Sequence, residues 1–294
     1  METHIQFGCE YTKMVNVFSF CLYGSPSQLN DKFEHDDCEG GIKPGGYYDG
    51  LLENIRLIQR HYPEWKVFVY TGKDVTESFI NMLGTFPSVT VFPTGVLGHQ
   101  NSIYRAFAID EPGVDVMIVR DTDSRVHWKD RWAIDMFMKQ TSYGVQVIRD
   151  HKYHGVRIPA GLWGMKKGVL KTKIRDLYAA WKPVNAGCGN PNDVMGFGID
   201  QNFLGLEIYP AIRHHTVVFH SFTDMLMIGE AGVFFPFDWS NDMYCGRIEA
   251  KPESEPFSAR ELESAPPPNG PLQVTSRLLE SQLASKKIYG FIRR

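Results

Sequence analysis

Apolar positions along the chain follow two different spacings. Short runs rich in Val, Ile and aromatic residues predict buried strands, and stretches with apolar residues three or four positions apart predict helices. The two patterns alternate, which indicates right-handed crossovers and a mostly parallel sheet with helices on both faces. The predicted strands are residues 15–23, 65–70, 89–92, 114–119, 143–148 and 216–220, and the predicted helices are 47–61, 74–83, 101–109, 128–139, 169–181 and 199–208.

Local signals set some of the boundaries of these elements. Pro63 ends the first helix, because proline cannot continue a helical hydrogen-bond pattern. Asp74 is predicted to cap the second helix, and Glu77 completes a pattern similar to a capping box. Residues 156–165 are apolar and rich in glycine, which allows a neighbouring backbone or a ligand to approach closely.

The pattern predicts one large domain with extensions at both ends. Residues 1–13 show no periodicity and are interpreted as a leader, and residues 14–248 form the α/β domain. Residues 249–271 are rich in Pro, Ser and Glu and predict a linker. Residues 272–294 predict a helical segment at the end of the chain.

Composition restricts the class of protein. The 294 residues are 43% hydrophobic and 22% charged, as in ordinary soluble globular proteins, and a net charge of −3 does not favour a nucleic-acid partner. Five cysteines without a Cys-x-x-Cys pair argue against a disulfide framework or zinc ribbon and favour a reducing compartment. The early apolar segment 14–22 is too short to span a membrane. We therefore expect a cytoplasmic protein without a transmembrane segment or a signal peptide.

Two carboxylates follow the predicted strand 114–119. In an extended chain residues i and i+2 point to the same side, so Asp121 and Asp123 can approach one cation. Two carboxylates suit Mg²⁺ or Mn²⁺, whose other positions are usually filled by water and phosphate oxygens. An Asp-x-Asp pair is also common by chance and can simply cap a loop.

A metal held at the end of a parallel sheet is typical of enzymes that act on a diphosphate. The metal either helps a sugar to leave a nucleotide diphosphate, or helps water or aspartate to attack a phosphoryl group. Three strand–helix units precede the carboxylates here and Ser124-Arg125 follows them, which is unlike the aspartate-nucleophile phosphatases. Residues 23–26 are a poor match for the basic glycine-rich loop of nucleotidyltransferases. A catalytically inactive carbohydrate-binding protein is a third possibility.

The sequence resembles the GT-A glycosyltransferases over residues 14–248. The resemblance rests on Arg-Asp-Thr-Asp-Ser-Arg at 120–125, with Arg-Asp-His at 149–151 and Gly-Leu-Trp-Gly at 161–164 downstream. The sequence is similar to a subset of such enzymes from bacteria and large DNA viruses. For a viral protein the compartment would be the cytoplasm of the host. The resemblance implies a GT-A-like fold with a Rossmann-like nucleotide-binding half and an acceptor half. It also implies Mn²⁺ or Mg²⁺, a nucleotide-diphospho-sugar donor, with UDP favoured, and a glycan or other hydroxyl acceptor.

The same resemblance implies roles in donor binding. Asp121 and Asp123 would bind the metal and the donor diphosphate. Tyr23 matches the position that holds the base, although it could equally be an ordinary aromatic residue at a strand end. Arg105 matches an arginine near the donor, but related enzymes have Tyr-x-x-Arg where this chain has Tyr104-Arg105, and a surface ion pair is the alternative. Arg120 could also assist the departing diphosphate.

Asp200 and Gln201 resemble an Asp-Gln pair at the start of a late helix in the retaining families. In those enzymes the carboxylate contacts sugar hydroxyls and the amide faces the reacting carbon. The next residue is acidic there but Asn202 here. In an inverting enzyme Asp200 could be the base. An aspartate before an apolar run could also be a helix cap, and the retaining or inverting outcome stays open.

Residues at later strand ends complete the predicted site. Related enzymes supply a third metal ligand at the position of His220, and the neighbouring histidines 214 and 215 leave this assignment ambiguous. The end of another strand and the glycine-rich segment could hold sugar or acceptor groups, although a tryptophan there is equally often part of the core. The residues assigned to this role are Asp150, His151 and Trp163.

Overall fold

One mixed sheet of eight strands lies at the centre of the protein. The structure is a computed structural model, and it describes residues 14–24, 46–140, 142–185, 198–237, 239 and 244–247. The strands are β1 (Val15–Leu22), β2 (Lys66–Thr71), β3 (Val89–Pro93), β4 (Val114–Arg120), β5 (Val145–Arg149), β6 (Leu162–Lys166), β7 (Thr216–His220) and β8 (Ala231–Phe234). Their order in the sheet is β3-β2-β1-β4-β6-β5-β7-β8. The strand β6 runs antiparallel to both of its neighbours, and the other pairs are parallel.

Helical segments connect these strands. The chain from residue 199 to residue 212 is continuously helical, because a π-helical turn lies between two short α-helices there. The α-helices are α1 (Gly46–His61), α2 (Glu77–Leu83), α3 (Trp128–Lys139), α4 (Ile174–Asn185), α5 (Ile199–Phe203) and α6 (Tyr209–Ile212), the 3₁₀ helices are Gly98–Asp110, Lys152–His154, Arg213–His215 and Thr223–Met225, and the π-helical turn is Leu204–Ile208.

The sheet buries a hydrophobic cluster on each face. Side chains alternate between the two faces of a strand, so Phe18, Phe20 and Leu22 pack with α1, α2 and α3 on one side. Val17 and Cys21 pack with the 3₁₀ helix Gly98–Asp110, α4 and α5 on the other side. The predicted α/β class is therefore confirmed, with a mostly parallel, GT-A-like sheet and helices on both faces.

The strand order reverses between β1 and β4. The chain passes from β1 through β2 to β3 on one side, then returns through the 3₁₀ helix Gly98–Asp110 to pair β4 with the other edge of β1. The connections through α1 and α2 lie on one face of the sheet, and the returning 3₁₀ helix lies on the other. Such a reversal opens a crevice at the carboxyl ends of the two strands, where ligands of open α/β sheets bind.

Several local features differ from the sequence-based expectation. The helix α2 begins only at Glu77, because the Asp74 carboxylate instead accepts a hydrogen bond from the Gly98 backbone N–H at 3.1 Å. The predicted helix 101–109 is a longer 3₁₀ helix. The strand β6 was not predicted, since Gly164 interrupts its apolar run; a Cβ there would lie 2.8 Å from the Met117 carbonyl oxygen, so the glycine allows β4 to approach closely.

Several predicted segments lie outside the described residues. They are the leader 1–13, the linker 249–271 and the helical segment 272–294. Within the described residues, every helix is too short or too polar to cross a membrane.

Candidate active site

The loop that carries the two predicted metal ligands is held by a buried asparagine of α1. The Nδ2 atom of Asn54 donates to the carbonyl oxygen of Ser124 at 2.9 Å and to that of Thr122 at 3.4 Å. Its Oδ1 atom accepts from the Val126 N–H at 2.9 Å. Because Asn54 is fully buried, these bonds fix the backbone on both sides of Asp123.

A glycine of α1 lets this loop approach the helix. A Cβ at Gly50 would collide with the Thr122 carbonyl oxygen and with the guanidinium of Arg125. That guanidinium pairs with the Glu53 carboxylate at 2.5 Å and donates to the Asp123 carbonyl oxygen at 2.8 Å. The helix therefore positions the carboxylates through its backbone as well as through its side chains.

The variant Gly50→Ala is expected to lower the free energy of unfolding by about 1–3 kcal/mol, because the added methyl group forces the loop away from α1. Urea denaturation measures this change. The matched control is Gly84→Ala at the end of α2, where the backbone is right-handed and the nearest atom to a Cβ is 3.4 Å away. The control is expected to change stability by less than about 0.5 kcal/mol. Equal effects of the two substitutions would contradict this role of Gly50.

A buried arginine joins two of the predicted carboxylates. The Arg105 guanidinium donates through Nη1 to Asp121 Oδ1 and pairs through Nη2 with Asp200 Oδ2 at 3.0 Å. The backbone carbonyl oxygen of Arg105 accepts a hydrogen bond from the Ser19 hydroxyl of β1 at 2.7 Å. Burial is the largest single influence and lowers the pKa of Arg105, but the negative charges of Asp121 and Asp200 and the hydrogen bond to Asp121 together outweigh it, so the pKa is raised well above its usual range. A permanent positive charge therefore lies at the crevice between β1 and β4.

The second carboxylate of the pair is unusual in its titration. Burial, followed by the negative charge of Asp121, raises the pKa of Asp123 to about 7. The two carboxylates are thus close enough to repel each other. Arg105 is shared between Asp121 and Asp200, so negative charge is in excess around it. The Asp121 side chain is 43% exposed. Two accessible oxygen ligands in a region of excess negative charge fit Mg²⁺ or Mn²⁺.

The glycine-rich segment before β6 packs against the first carboxylate. A Cβ at Gly161 would collide with the Asp121 carboxylate. Gln201 holds this segment, since its Nε2 donates to the Ile158 carbonyl oxygen at 2.5 Å and its Oε1 accepts from the Ala160 N–H at 3.2 Å. The structure thus brings Arg105, Asp121 and Asp200 together, while the Gln201 amide supports the segment beside them.

Arg120 lies on the opposite face of β4 from Asp121, as expected for adjacent strand residues. Its Nη1 pairs with Asp130 Oδ1 of α3 at 2.7 Å, and both side chains are buried. The Arg120 carbonyl oxygen accepts from Arg105 Nη1 at 3.4 Å, but the Arg120 guanidinium is directed away from the group around Arg105. Its charge is already compensated inside the domain.

His220 is also away from this group. β7 is separated from β4 by β6 and β5, which corresponds to about 14 Å across the sheet. The Nδ1 atom of His220 is 2.9 Å from the Phe222 carbonyl oxygen, and its ring lies 4.2 Å from that of Phe234. Burial lowers the pKa of His220. The contacts of this ring are with its own edge of the sheet and not with Asp121 or Asp123.

Asp150 and Trp163 lie inside the protein. Asp150 is fully buried and pairs with Lys129 Nζ at 2.7 Å, accepts from the Ser221 hydroxyl, and accepts from the Cys245 N–H at 2.9 Å. Trp163 is 1% exposed and belongs to a hydrophobic cluster. Both side chains are therefore committed to internal contacts.

The ends of β1 and β2 are fixed by another buried amide. Asn101 donates to the carbonyl oxygens of Leu22 at 3.0 Å and Tyr70 at 2.8 Å, and it accepts from the Thr94 hydroxyl at 2.6 Å. The Tyr23 hydroxyl lies just beyond, 3.1 Å from His99 Nδ1. Burial raises the pKa of Tyr23. Tyr23 is therefore at the crevice, on the other side of β1 from β4.

A second group of potential metal ligands lies beneath the loop on the α3 side. Ligand atoms of His127, Asp130 and Cys245 are all within 4.8 Å of one another, a spacing that could hold a metal ion, and this group was found among the described residues only. Two of its members also have partners within the protein. His127 Nδ1 accepts from the Lys129 N–H at 3.2 Å, and Asp130 is paired with Arg120. His127 and Asp130 also form the capping box that begins α3, while Asp130 Oδ1 is paired with Arg120 by charge and makes no hydrogen bond among the described residues.

Comparisons with known proteins give similar structures only. No family model and no curated protein sequence matches the chain. One similar structure is 4-diphosphocytidyl-2C-methyl-D-erythritolsynthase from Anaerococcus prevotii DSM 20548, with 12% identity, a TM-score of 0.40 and coverage of 74% of this chain and 91% of that chain. Another is glucosyl-3-phosphoglycerate synthase from Mycobacterium tuberculosis, in complex with Mn²⁺, UDP and phosphoglyceric acid, with 9% identity, a TM-score of 0.32 and coverage of 54% and 57%. At these TM-scores the similarity supports no statement about activity.

Proposed function

We propose that this protein is a metal-dependent glycosyltransferase that moves a sugar from a nucleotide diphosphate sugar, with UDP favoured, to a hydroxyl acceptor. The observation that carries the proposal is the bridge from Arg105 to Asp121 and Asp200. It lies where the strand order reverses, the position at which open α/β sheets bind nucleotides.

Each residue of this group has a role in the proposal. Asp121 and Asp123 would hold Mn²⁺ or Mg²⁺, which supplies positive charge to the departing diphosphate when bound. Arg105 keeps the Asp121 carboxylate oriented toward the crevice. The same guanidinium holds Asp200 beside it, where a sugar attached to the diphosphate would lie. Asp200 then contacts the sugar or acts as a base, and the anomeric configuration of the product distinguishes these two roles.

The experiment is to incubate the protein with a panel of UDP-, GDP- and CDP-sugars, with and without Mn²⁺, and to measure nucleotide release. Metal-dependent release of a nucleoside diphosphate supports the proposal. Release of inorganic phosphate or of a nucleoside monophosphate would assign a phosphohydrolase or a nucleotidyltransferase instead. Metal-independent release would contradict the role of the two aspartates.

Mn²⁺ affinity is expected to rise with pH between about pH 6 and pH 8. The reason is that the pKa of Asp123 is about 7 instead of 3.8, so the carboxyl is largely protonated below this range and cannot bind a cation well. The same shift means that between about pH 4 and pH 7 the folded, metal-free protein holds a proton that the unfolded chain has released, so stability falls as pH rises from about 4 to about 7. Titration of Mn²⁺ binding at several pH values measures the effect. The variant Asp123→Asn is the control, and an equally steep pH dependence in that variant would contradict the assignment.

A further inference from the structure

Five rings in mutual tilted or edge-on contact lie at the carboxyl edge of β5, and the proposed donor site leaves them unused. We propose that these residues, here called the acceptor platform, bind the acceptor and that this acceptor is an uncharged sugar. The proposal rests on the proposed function, because it names the substrate class for the second half of the same site. The acceptor platform consists of His151, Tyr153, His154, Trp239 and Tyr244.

The rings of the acceptor platform contact one another across two chain segments. The His151 ring lies 4.4 Å from that of Tyr244 at an interplanar angle of 32°, and 5.1 Å from that of Tyr153. His154 lies 5.6 Å from His151 and 5.8 Å from Tyr244. Trp239 flanks the group at 5.9 Å from His151. The five residues therefore form one aromatic cluster, in which His151 is buried, Tyr153 is exposed and the other three are partly exposed.

The chemistry of this surface matches a sugar. Tyr153 is 77% exposed, which is unusual for a large aromatic side chain that belongs to a cluster. Pyranose rings present an apolar C–H face and a rim of hydroxyl groups, so they suit aromatic rings that carry polar atoms at their edges. The acceptor platform supplies ring faces together with phenol and imidazole groups.

One atom of the acceptor platform lacks a partner within the described residues. The Nδ1 atom of His154 is buried and makes no hydrogen bond there. Burial, followed by the proximity of His151, lowers the pKa of His154 to about 4. The ring is therefore neutral at pH 7, and its unpartnered nitrogen can accept a hydrogen bond from a sugar hydroxyl once the neighbouring side chains move to admit it. A bound hydroxyl would remove the cost of leaving this nitrogen unsatisfied.

The acceptor platform lies at a suitable distance from the proposed metal ligands. In the sheet order, β5 is two positions from β4, which is about 10 Å. The segment from β5 to β6 runs from His151 to Gly161, which packs against Asp121. This offset leaves room for the transferred sugar between the diphosphate and the acceptor.

Charge favours a neutral acceptor over a phosphorylated or carboxylated one. The buried cations near this edge are each paired with a buried carboxylate, so none has charge left for an anionic ligand. These pairs are Arg120 with Asp130 at 2.7 Å, Lys129 with Asp150 at 2.7 Å, and Arg149 with Glu230 at 2.6 Å. Lys152 is exposed, and its Nζ atom lies 4.9 Å from the centre of the Tyr153 ring, where water screens its charge.

The test is ligand-detected NMR of the full chain with methyl glycosides of glucose, galactose and mannose, and with the 6-phosphates of the same glycosides. At least one neutral glycoside is expected to bind, with saturation transfer concentrated on the protons of one ring face. The variant Tyr153→Ala is expected to weaken this binding about tenfold, and Tyr153→Phe is expected to retain most of it. The matched control is Phe234→Ala, which removes another exposed aromatic side chain, 51% exposed at the end of β8, and is expected to leave binding unchanged.

Three results would overturn the proposal: absence of binding by all neutral glycosides, tighter binding of the phosphorylated forms, or equal effects of Tyr153→Ala and Phe234→Ala. Because Tyr153 is exposed, unchanged thermal unfolding of its variants confirms that they fold. Binding is measured without donor or metal, so it is independent of the donor reaction. Glycoside binding without any nucleotide release would contradict the proposed function alone, whereas nucleotide release without glycoside binding would contradict the acceptor platform alone.

Discussion

The variant Glu230→Ala is expected to lower the free energy of unfolding by about 3–5 kcal/mol. Glu230 pairs through both oxygens with the fully buried Arg149, at 2.6 and 2.8 Å, and one of these oxygens also accepts from the Tyr209 hydroxyl at 2.9 Å. Removing the carboxylate leaves the guanidinium buried without its counter-charge. Urea denaturation at neutral pH measures the loss.

The control for this substitution is Glu111→Ala. Glu111 pairs with Arg175 at 2.5 Å, but the arginine side chain is 40% exposed, so water screens the pair. Its loss is expected to cost less than about 1 kcal/mol. Similar losses in the two variants would show that burial does not determine the strength of the Arg149–Glu230 pair.

The variant Arg105→Ala is expected to reduce nucleotide release about 100-fold or more. Without the guanidinium, Asp121 and Asp200 lose the group that holds both of them, and their charges repel each other. Arg105→Lys is expected to recover only part of the activity, because one ammonium group cannot reproduce the two directions of the guanidinium. Steady-state rates with the preferred donor measure both effects.

The control for Arg105 is Arg175→Ala. Arg175 belongs to α4. Its side chain pairs with Asp110 and Glu111 at the end of the 3₁₀ helix that contains Arg105, away from the crevice. Its substitution is expected to leave the rate unchanged within about twofold. Full activity in Arg105→Lys, or equal rates in the two alanine variants, would contradict the bridging role of Arg105.

The main path of the chain could be predicted from local periodicity. Strands such as β2 and helices such as α3 have strong apolar patterns, and the structure confirms them. The antiparallel strand β6 could not be predicted in this way, because Gly164 is required by contact with β4 and not by the preference of its own segment. The short edge strand β8 was missed for a related reason, since four residues give too little pattern to recognise.

The candidate site could be predicted only where its residues are close together in the sequence. Asp121 and Asp123 could be proposed from one strand end, but the distance of His220 from them depends on the strand order, which local patterns do not determine. Asn54 was missed although a signal existed. It lies next to Ile55 on the apolar face of α1, where a polar side chain must find partners.

The most direct test of the central claim compares Asp121→Asn with Asp115→Asn in Mn²⁺-dependent nucleotide release. Both residues belong to the same stretch of chain, but Asp115 is exposed at the start of β4, and Asp121 follows its end at the crevice. The substitution at 121 removes a metal ligand and the partner of Arg105, which corresponds to several kcal/mol of transition-state stabilisation and a rate loss of about 100-fold or more. We expect that loss in Asp121→Asn and an unchanged rate in Asp115→Asn. An Asp121→Asn variant as active as the wild type would contradict the proposed site.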